Sequence, residues 1–159
     1  MTEDAYAVRA DALKEKLYGM AWLYLGSQSL AVDAVDEAVY RGLRHCGKLR
    51  EEPYFDTWLT RILINVCPAE LRRHRREVAV AELPETAQEE FDALPLRDAV
   101  GRLPRDLREV IILRYFTGLT LAETARALDI PQGTAATRQR KALQLLRLEL
   151  TDGEEAAGQ

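Results

Sequence analysis

A chain of 159 residues with 22 Lys and Arg, 26 Asp and Glu and a net charge of −4 is long enough for one ordinary core or two small ones, and length alone does not choose between them. No run approaches the roughly eighteen apolar residues that span a bilayer, and the opening MTEDAYAVRADALKEK lacks the basic-then-apolar order of a signal peptide, so a cytoplasmic protein with no membrane insertion is expected. Cys46 and Cys67 make no disulfide framework, and with His45 and His74 they match no paired-ligand zinc spacing, so neither metal nor cofactor is expected.

The first block alternates apolar and polar residues at helical period, without the paired β-branched runs and Asn-Gly turns of hairpins. A first helix is predicted over about 5–25, with Leu13, Leu17, Met20 and Tyr24 on one face, and GSQS at 26–29 ends it. A second, over about 30–47, sets Ala31, Val35, Ala38 and Val39 on one side and Asp33, Asp36, Glu37 and Arg41 on others. A third begins near Pro53, carries Phe55, Trp58, Leu59, Ile62, Leu63 and Val66, and runs into the basic cluster LRRHRR at 71–76. Its apolar face is too wide to be left in water and predicts a core. Pro68 inside this helix removes one backbone hydrogen bond and crowds the Ile64 carbonyl, which predicts a bend or an end there.

The next stretch, 77–96, has six acids, no base and two prolines, which is linker composition, and it divides the chain into an N-terminal domain 1–76 and a C-terminal domain 97–150. The charge follows the same division. Residues 1–76 hold 12 basic and 11 acidic side chains, residues 97–150 hold 10 and 6, and the tail 151–159 is acidic. The negative net charge thus sits in linker and tail, and both flanked blocks are mildly basic, so the overall sign does not exclude a nucleic-acid partner.

Residues 97–150 read as four short to medium helices. Pro104 suits a first turn, and Gly118 ends the helix that carries Leu107, Val110 and Ile111. Thr120 with Glu123 matches a capping box, and Leu121, Ala125 and Leu128 form the buried stripe of the helix it opens. DIPQG then turns, and a basic helix begins near Thr134. Two helices joined by a tight Gly-containing turn, the second basic, predict a helix-turn-helix, although plain helical hairpins share much of that pattern. The expected fold class is therefore all-α: two small helical domains with an acidic linker between them.

Beyond periodicity, LPRDLREVIILRYFTGLTLAETARALDIPQGTAATRQRKA is similar to the C-terminal, promoter-binding domain of bacterial RNA polymerase sigma factors of the extracytoplasmic-function (ECF) type. AVDAVDEAVYRGLRH resembles their polymerase-binding helix, and FDTWLTRILINVCPAELRRHRR resembles the segment that melts and reads the −10 element. The matched parts cover about 13–76 and 96–148 in the family's order. The resemblance implies a factor without catalysis of its own that lends promoter specificity to core RNA polymerase, and it makes promoter DNA and an anti-sigma factor the further expected partners. Two other readings remain open at this stage: a helix-turn-helix regulator that acts without polymerase, and a sigma-like interaction module that has lost promoter binding. No Gly-rich phosphate loop, nucleophile elbow or metal-ligand spacing points to an enzyme.

The resemblance implies a polymerase edge at Asp33, Asp36, Glu37 and Tyr40, and a −10 surface at Phe55, Trp58, Asn65, Arg72, Arg73, Arg75 and Arg76. Capturing a base that leaves the stack calls for aromatic and amide groups beside a cationic backbone track, which those residue types supply. A core position is the competing reading for Trp58, which shares a face with Ile62, and for Asn65, whose mid-helix amide has no capping role. For the −35 element the implied readers are Thr134, Ala136, Thr137, Arg138, Arg140 and Lys141. Ala136 stands where relatives carry Lys or Arg, and Gln139 where an apolar residue usually packs. The loss of the cation at 136 removes roughly one ion-release term or one bidentate contact.

Overall fold

The computed structural model describes the backbone of residues 1–81 and 94–157 and the side chains of 1–76 and 96–147. It is all-α, with no strand among the described residues, and it divides into two compact units, Met1–Glu85 and Thr86–Gln159.

In the first unit, α1 (Glu3–Leu25), α2 (Gln28–His45) and α3 (Phe55–Ala81) pack pairwise on one another. The Thr2 hydroxyl caps the start of α1 by accepting from the Ala5 N–H, and Gly26, at φ +72°, ends it in the left-handed region that a side chain resists. The Ser27 hydroxyl caps α2 through the Leu30 N–H. On α1, Tyr6, Leu13, Leu17, Met20 and Tyr24 are buried, and from α3 Phe55, Leu59, Leu63 and Val66 enter the same core. Between them α2 contributes mostly small residues, Ala31, Ala34, Ala38 and Gly42, which let the larger neighbours approach. A Cβ at Gly42 would overlap the Tyr6 hydroxyl and come to 3.0 Å from Leu59 Cδ1. That hydroxyl donates to the Val39 carbonyl at 2.6 Å. Burial, with Cys46 beside it, pushes the phenol up to about 12.

Of the bend or end expected at Pro68, the end does not occur: α3 continues through the proline to Ala81. Pro68 is itself buried, next to Val66 and Cys67 in the same core. One missing backbone bond costs about 3 kcal/mol, whereas each large apolar side chain that α3 buries contributes about 1.5–3 kcal/mol, so packing holds the helix through the proline. Of the segment 77–96, expected as a linker, 77–81 continue α3 and the next helix begins at Leu94, while the remainder lies outside the described residues.

In the second unit, α4 (Leu94–Arg102) is followed by α5 (Arg105–Ile111), which runs directly into one turn of π-helix, Ile112–Phe116. Pro104 stands one place earlier than expected, as the N-cap of α5. Gly118, at φ +79°, closes this element, with the Leu119 N–H bonded to the Leu113 carbonyl at 3.0 Å. The capping box at the start of α6 (Leu121–Leu128) is present in both directions, Glu123 N–H to Thr120 Oγ1 at 3.1 Å and Thr120 N–H to Glu123 Oε1 at 3.0 Å. Its fully buried positions are Thr124, Ala125 and Ala127, whereas Leu121 and Leu128 are half-buried. The last helix, α7 (Gln132–Ala157), extends into 151–159, the acidic tail of the sequence reading.

Candidate polymerase and promoter interfaces

Asp33, Asp36, Glu37 and Tyr40 recur at i, i+3, i+4 and i+7 and so share one side of α2. Ala31, Ala34 and Ala38 face the core, which leaves this edge outward: Asp33 and Asp36 are exposed, Glu37 is half-buried and Tyr40 is 55% exposed. The edge is held in place locally. Glu37 accepts from Arg41 Nε at 2.7 Å, the Arg44 guanidinium lies 5.8 Å from the Tyr40 ring centre, and Asp33 pairs with Arg73 of α3 at 3.4 Å.

Along α3 the candidates separate. Phe55 is a core residue, at 0% exposure. Tyr6 packs edge-on against it at 5.7 Å and Arg9 covers it at 4.7 Å, itself anchored by donating to the Glu52 carbonyl at 2.7 Å. A base cannot stack on this ring while the core is closed, so Phe55 leaves the candidate set. Trp58 is half-buried, with its ring 5.9 Å from Phe55 and 6.3 Å from Tyr6, so it has both a packed and an open side. Asn65 is exposed, which removes the core-amide reading.

Helical period then places Trp58, Arg61, Asn65, Ala69, Arg72 and Arg76 in one outward stripe, half-buried at Trp58 and exposed beyond it. Arg61 is the member that motif matching missed, and its offset of four from Asn65 was the available signal. Arg75, also exposed, flanks the stripe. Arg73 turns away from it, bonding Glu70 of its own helix at 2.7 Å and reaching Asp33 of α2 at 3.4 Å.

In the second unit the turn before α7 is built on Asp129, not on glycine. Asp129 takes φ +57°, ψ +48°, and the Ile130 N–H returns to the Ala125 carbonyl at 3.0 Å, which folds the chain sharply from α6 into α7. Gly133 lies within the first turn of α7, where an added Cβ would meet nothing within 4 Å. Ala135, Ala142 and Leu146 form the buried side of the helix, and Gly133, Thr137, Arg140, Lys141 and Gln144 are exposed. Gln144 extends the outward edge by one turn beyond the implied readers. Thr134, Ala136 and Arg138 are half-buried at its margins. The Thr137 hydroxyl donates to the Gly133 carbonyl at 3.0 Å. Gln139, expected to be out of place among apolar neighbours, accepts from Arg114 Nε at 2.9 Å.

Among the described residues no group of three or more His, Cys, Asp or Glu side chains is placed to hold a metal ion, and Cys46 and Cys67 are buried and form no disulfide. No helix of the described residues is long and apolar enough to cross a membrane.

Each unit matches a family model: residues 10–77 match Sigma-70 region 2, and residues 99–148 match Sigma-70, region 4. The chain is 30% identical to the ECF RNA polymerase sigma factor SigW of Bacillus subtilis, across 94% of this chain and 91% of that protein. In fold it is similar to the sigma factor RpoE from Bartonella quintana, solved in complex with the anti-sigma factor NepR, with a TM-score of 0.79 over 94% of this chain and 98% of that one at 22% identity. It is also similar to CnrH, solved in complex with the cytosolic domain of CnrY, with a TM-score of 0.75 over 95% and 90% of the two chains at 19% identity. Two helical units that match regions 2 and 4 in order, together with a relative of that identity aligned over nearly the whole of both chains, make this protein a member of the ECF RNA polymerase sigma factors.

Proposed function

We propose that this protein is a promoter-specificity subunit of the cytoplasm: it binds core RNA polymerase, reads and opens promoter DNA, and acts by binding alone, with no chemistry of its own. The observation that carries this reading is the presence, in one chain, of both family regions, each with an outward cationic helical edge. A helix-turn-helix regulator working without polymerase would use the second unit and leave the acidic edge of α2 and the Arg61–Arg76 stripe of α3 unemployed.

In this reading Asp33, Asp36, Glu37 and Tyr40 meet the polymerase. Trp58, Asn65, Arg72, Arg75 and Arg76, joined by Arg61, face the −10 strand, with Arg73 behind them. Thr137, Arg140 and Lys141 face the −35 duplex, flanked by Thr134, Ala136 and Arg138. An anti-sigma factor is the expected further partner, as in the complex of RpoE with the anti-sigma factor NepR.

Run-off transcription with core RNA polymerase on a pool of promoter-like templates tests the assignment. Discrete transcripts that require this protein support it. DNA binding without transcription favours the regulator, and neither activity favours a sigma-like module that only engages other proteins.

A further inference from the structure

The half-buried guanidinium of Arg114 sits where three parts of the second unit meet. Its Nε donates to Gln139 Oε1 on α7 at 2.9 Å and its Nη1 donates to the Leu119 carbonyl at 2.6 Å, while its carbon lies 5.5 Å from the Tyr115 ring centre. Leu119 immediately precedes Thr120, the N-cap of α6. Arg114 itself belongs to the π-turn, in which the Thr117 N–H bonds to the Ile112 carbonyl five residues back at 3.0 Å. A π-turn widens the helix by one residue and so re-aims the side chains within it.

A planar, rigid fork that bonds two different elements constrains both their separation and their rotation, which a flexible ammonium does less well. Gln139 lies between Arg138 and Arg140 and two residues beyond Thr137. The bond therefore acts on the rotation of the segment that carries the outward cations. A rotation of α7 by roughly 10° moves the edge of a helix about 10 Å across by about 1 Å, which exceeds the spread of about 0.5 Å within which a hydrogen bond to a base edge holds.

We propose that Arg114 and Gln139 form a positioning pair that sets the rotation of α7 and thereby the sequence selectivity of −35 reading, acting through Arg140 and Lys141. The proposal rests on α7 being the DNA-reading helix.

The test uses the full chain with core RNA polymerase on a pool of duplexes randomised over the −35 position. Preferred and unpreferred sequences are taken from the wild-type result. Gln139→Leu and Arg114→Met are each expected to lower the ratio of preferred to unpreferred binding by about five- to tenfold. Binding to unpreferred DNA and its salt slope should stay within about twofold, because neither change removes an outward charge of α7. The double variant should lose no more than the larger single loss, and Gln139→Glu, which keeps an acceptor for Arg114, should retain the wild-type preference order.

A lowered melting temperature with the preference ratio intact would make the pair a structural brace and overturn the proposal. So would losses that multiply in the double variant, or a loss in Gln139→Leu with none in Arg114→Met, which would make Gln139 itself a base reader. Should Arg114→Met fail to fold, Arg114→Lys serves in its place and is held to the same ratio. If the wild-type protein selects no sequence at all, the DNA-reading assignment of α7 falls first, and that outcome is distinct from every outcome that discriminates among the variants.

Discussion

Arg73, in the basic stretch of α3, lies 3.4 Å from Asp33 on the acidic edge of α2, with both side chains about half exposed. The pair joins a residue of the implied −10 cluster to one of the implied polymerase edge. Exposed ion pairs contribute about 0–1 kcal/mol, and Arg73 has a second acidic partner in Glu70 at 2.7 Å. Asp33→Asn is therefore expected to change unfolding stability by less than about 1 kcal/mol. If Asp33 meets the polymerase, the same variant lowers affinity for core enzyme, and the deficit shrinks as salt rises. Fluorescence anisotropy with labelled protein at two ionic strengths, beside a thermal melt, measures both. A stability loss with unchanged polymerase affinity would make Asp33 a structural partner of Arg73 only.

Asn65 is exposed and stands in line with Arg61 and Arg72. Asn65→Ala is expected to leave the melting temperature nearly unchanged, because surface substitutions usually stay within about 0.5 kcal/mol. The lost hydrogen bonds to an extruded base should appear as about 1–3 kcal/mol in open-complex formation. Permanganate footprinting of the promoter with core polymerase reads that deficit. Full opening by the variant would leave Trp58 and the arginines as the melting surface.

Ala136 is half-buried at the margin of the outward edge of α7, close in sequence to Arg138 and Arg140. Ala136→Arg is expected to raise duplex affinity. A phosphate contact steepens the logarithmic salt dependence by about one unit for all sequences, whereas a base contact favours particular sites by about 1–3 kcal/mol. Titrations at several salt concentrations on preferred and unpreferred duplexes separate the two. No change in either quantity would place position 136 away from DNA.

Tyr6 supplies a pH dependence whose sign follows from its burial. Its phenol is pushed from 10.0 up to about 12 in the folded protein, first by desolvation and then by neighbouring Cys46. The unfolded chain loses this proton near pH 10 and the folded chain keeps it, so the unfolded state binds fewer protons across that interval and stability falls as pH rises through it. The Tyr6 contribution is fully present below about pH 10 and lost toward pH 12. Melting temperatures from about pH 9 to 11.5 should decline more steeply for wild type than for Tyr6→Phe, which removes the titrating group and also forgoes the bond to Val39. Parallel declines would show that other groups dominate the alkaline loss.

Amphipathic period, caps and turn residues are local properties, and they made the all-α class and most helix positions legible in the chain itself. The Thr120–Glu123 box could be read there because its partners are three residues apart. The family resemblance implied a polymerase edge at Asp33, Asp36, Glu37 and Tyr40, and their spacing of three and four within one helix lets them share a side. What depended on partners distant in sequence was decided only by tertiary packing. Phe55 and Asn65 were both plausible contacts by residue type, yet Tyr6 and Arg9, more than forty residues earlier, cover the first, and nothing packs the second out of solvent. The same holds for Pro68, where local energetics allowed a bend or an end and the side chains that α3 buries against α1 and α2 carry the helix past one missing backbone bond. Gln139 looked like a misplaced polar residue until Arg114, 25 positions away, was brought against it. Backbone period and capping act within a few residues and are written in the sequence, whereas burial and side-chain pairing are set by which surfaces meet after the chain has folded.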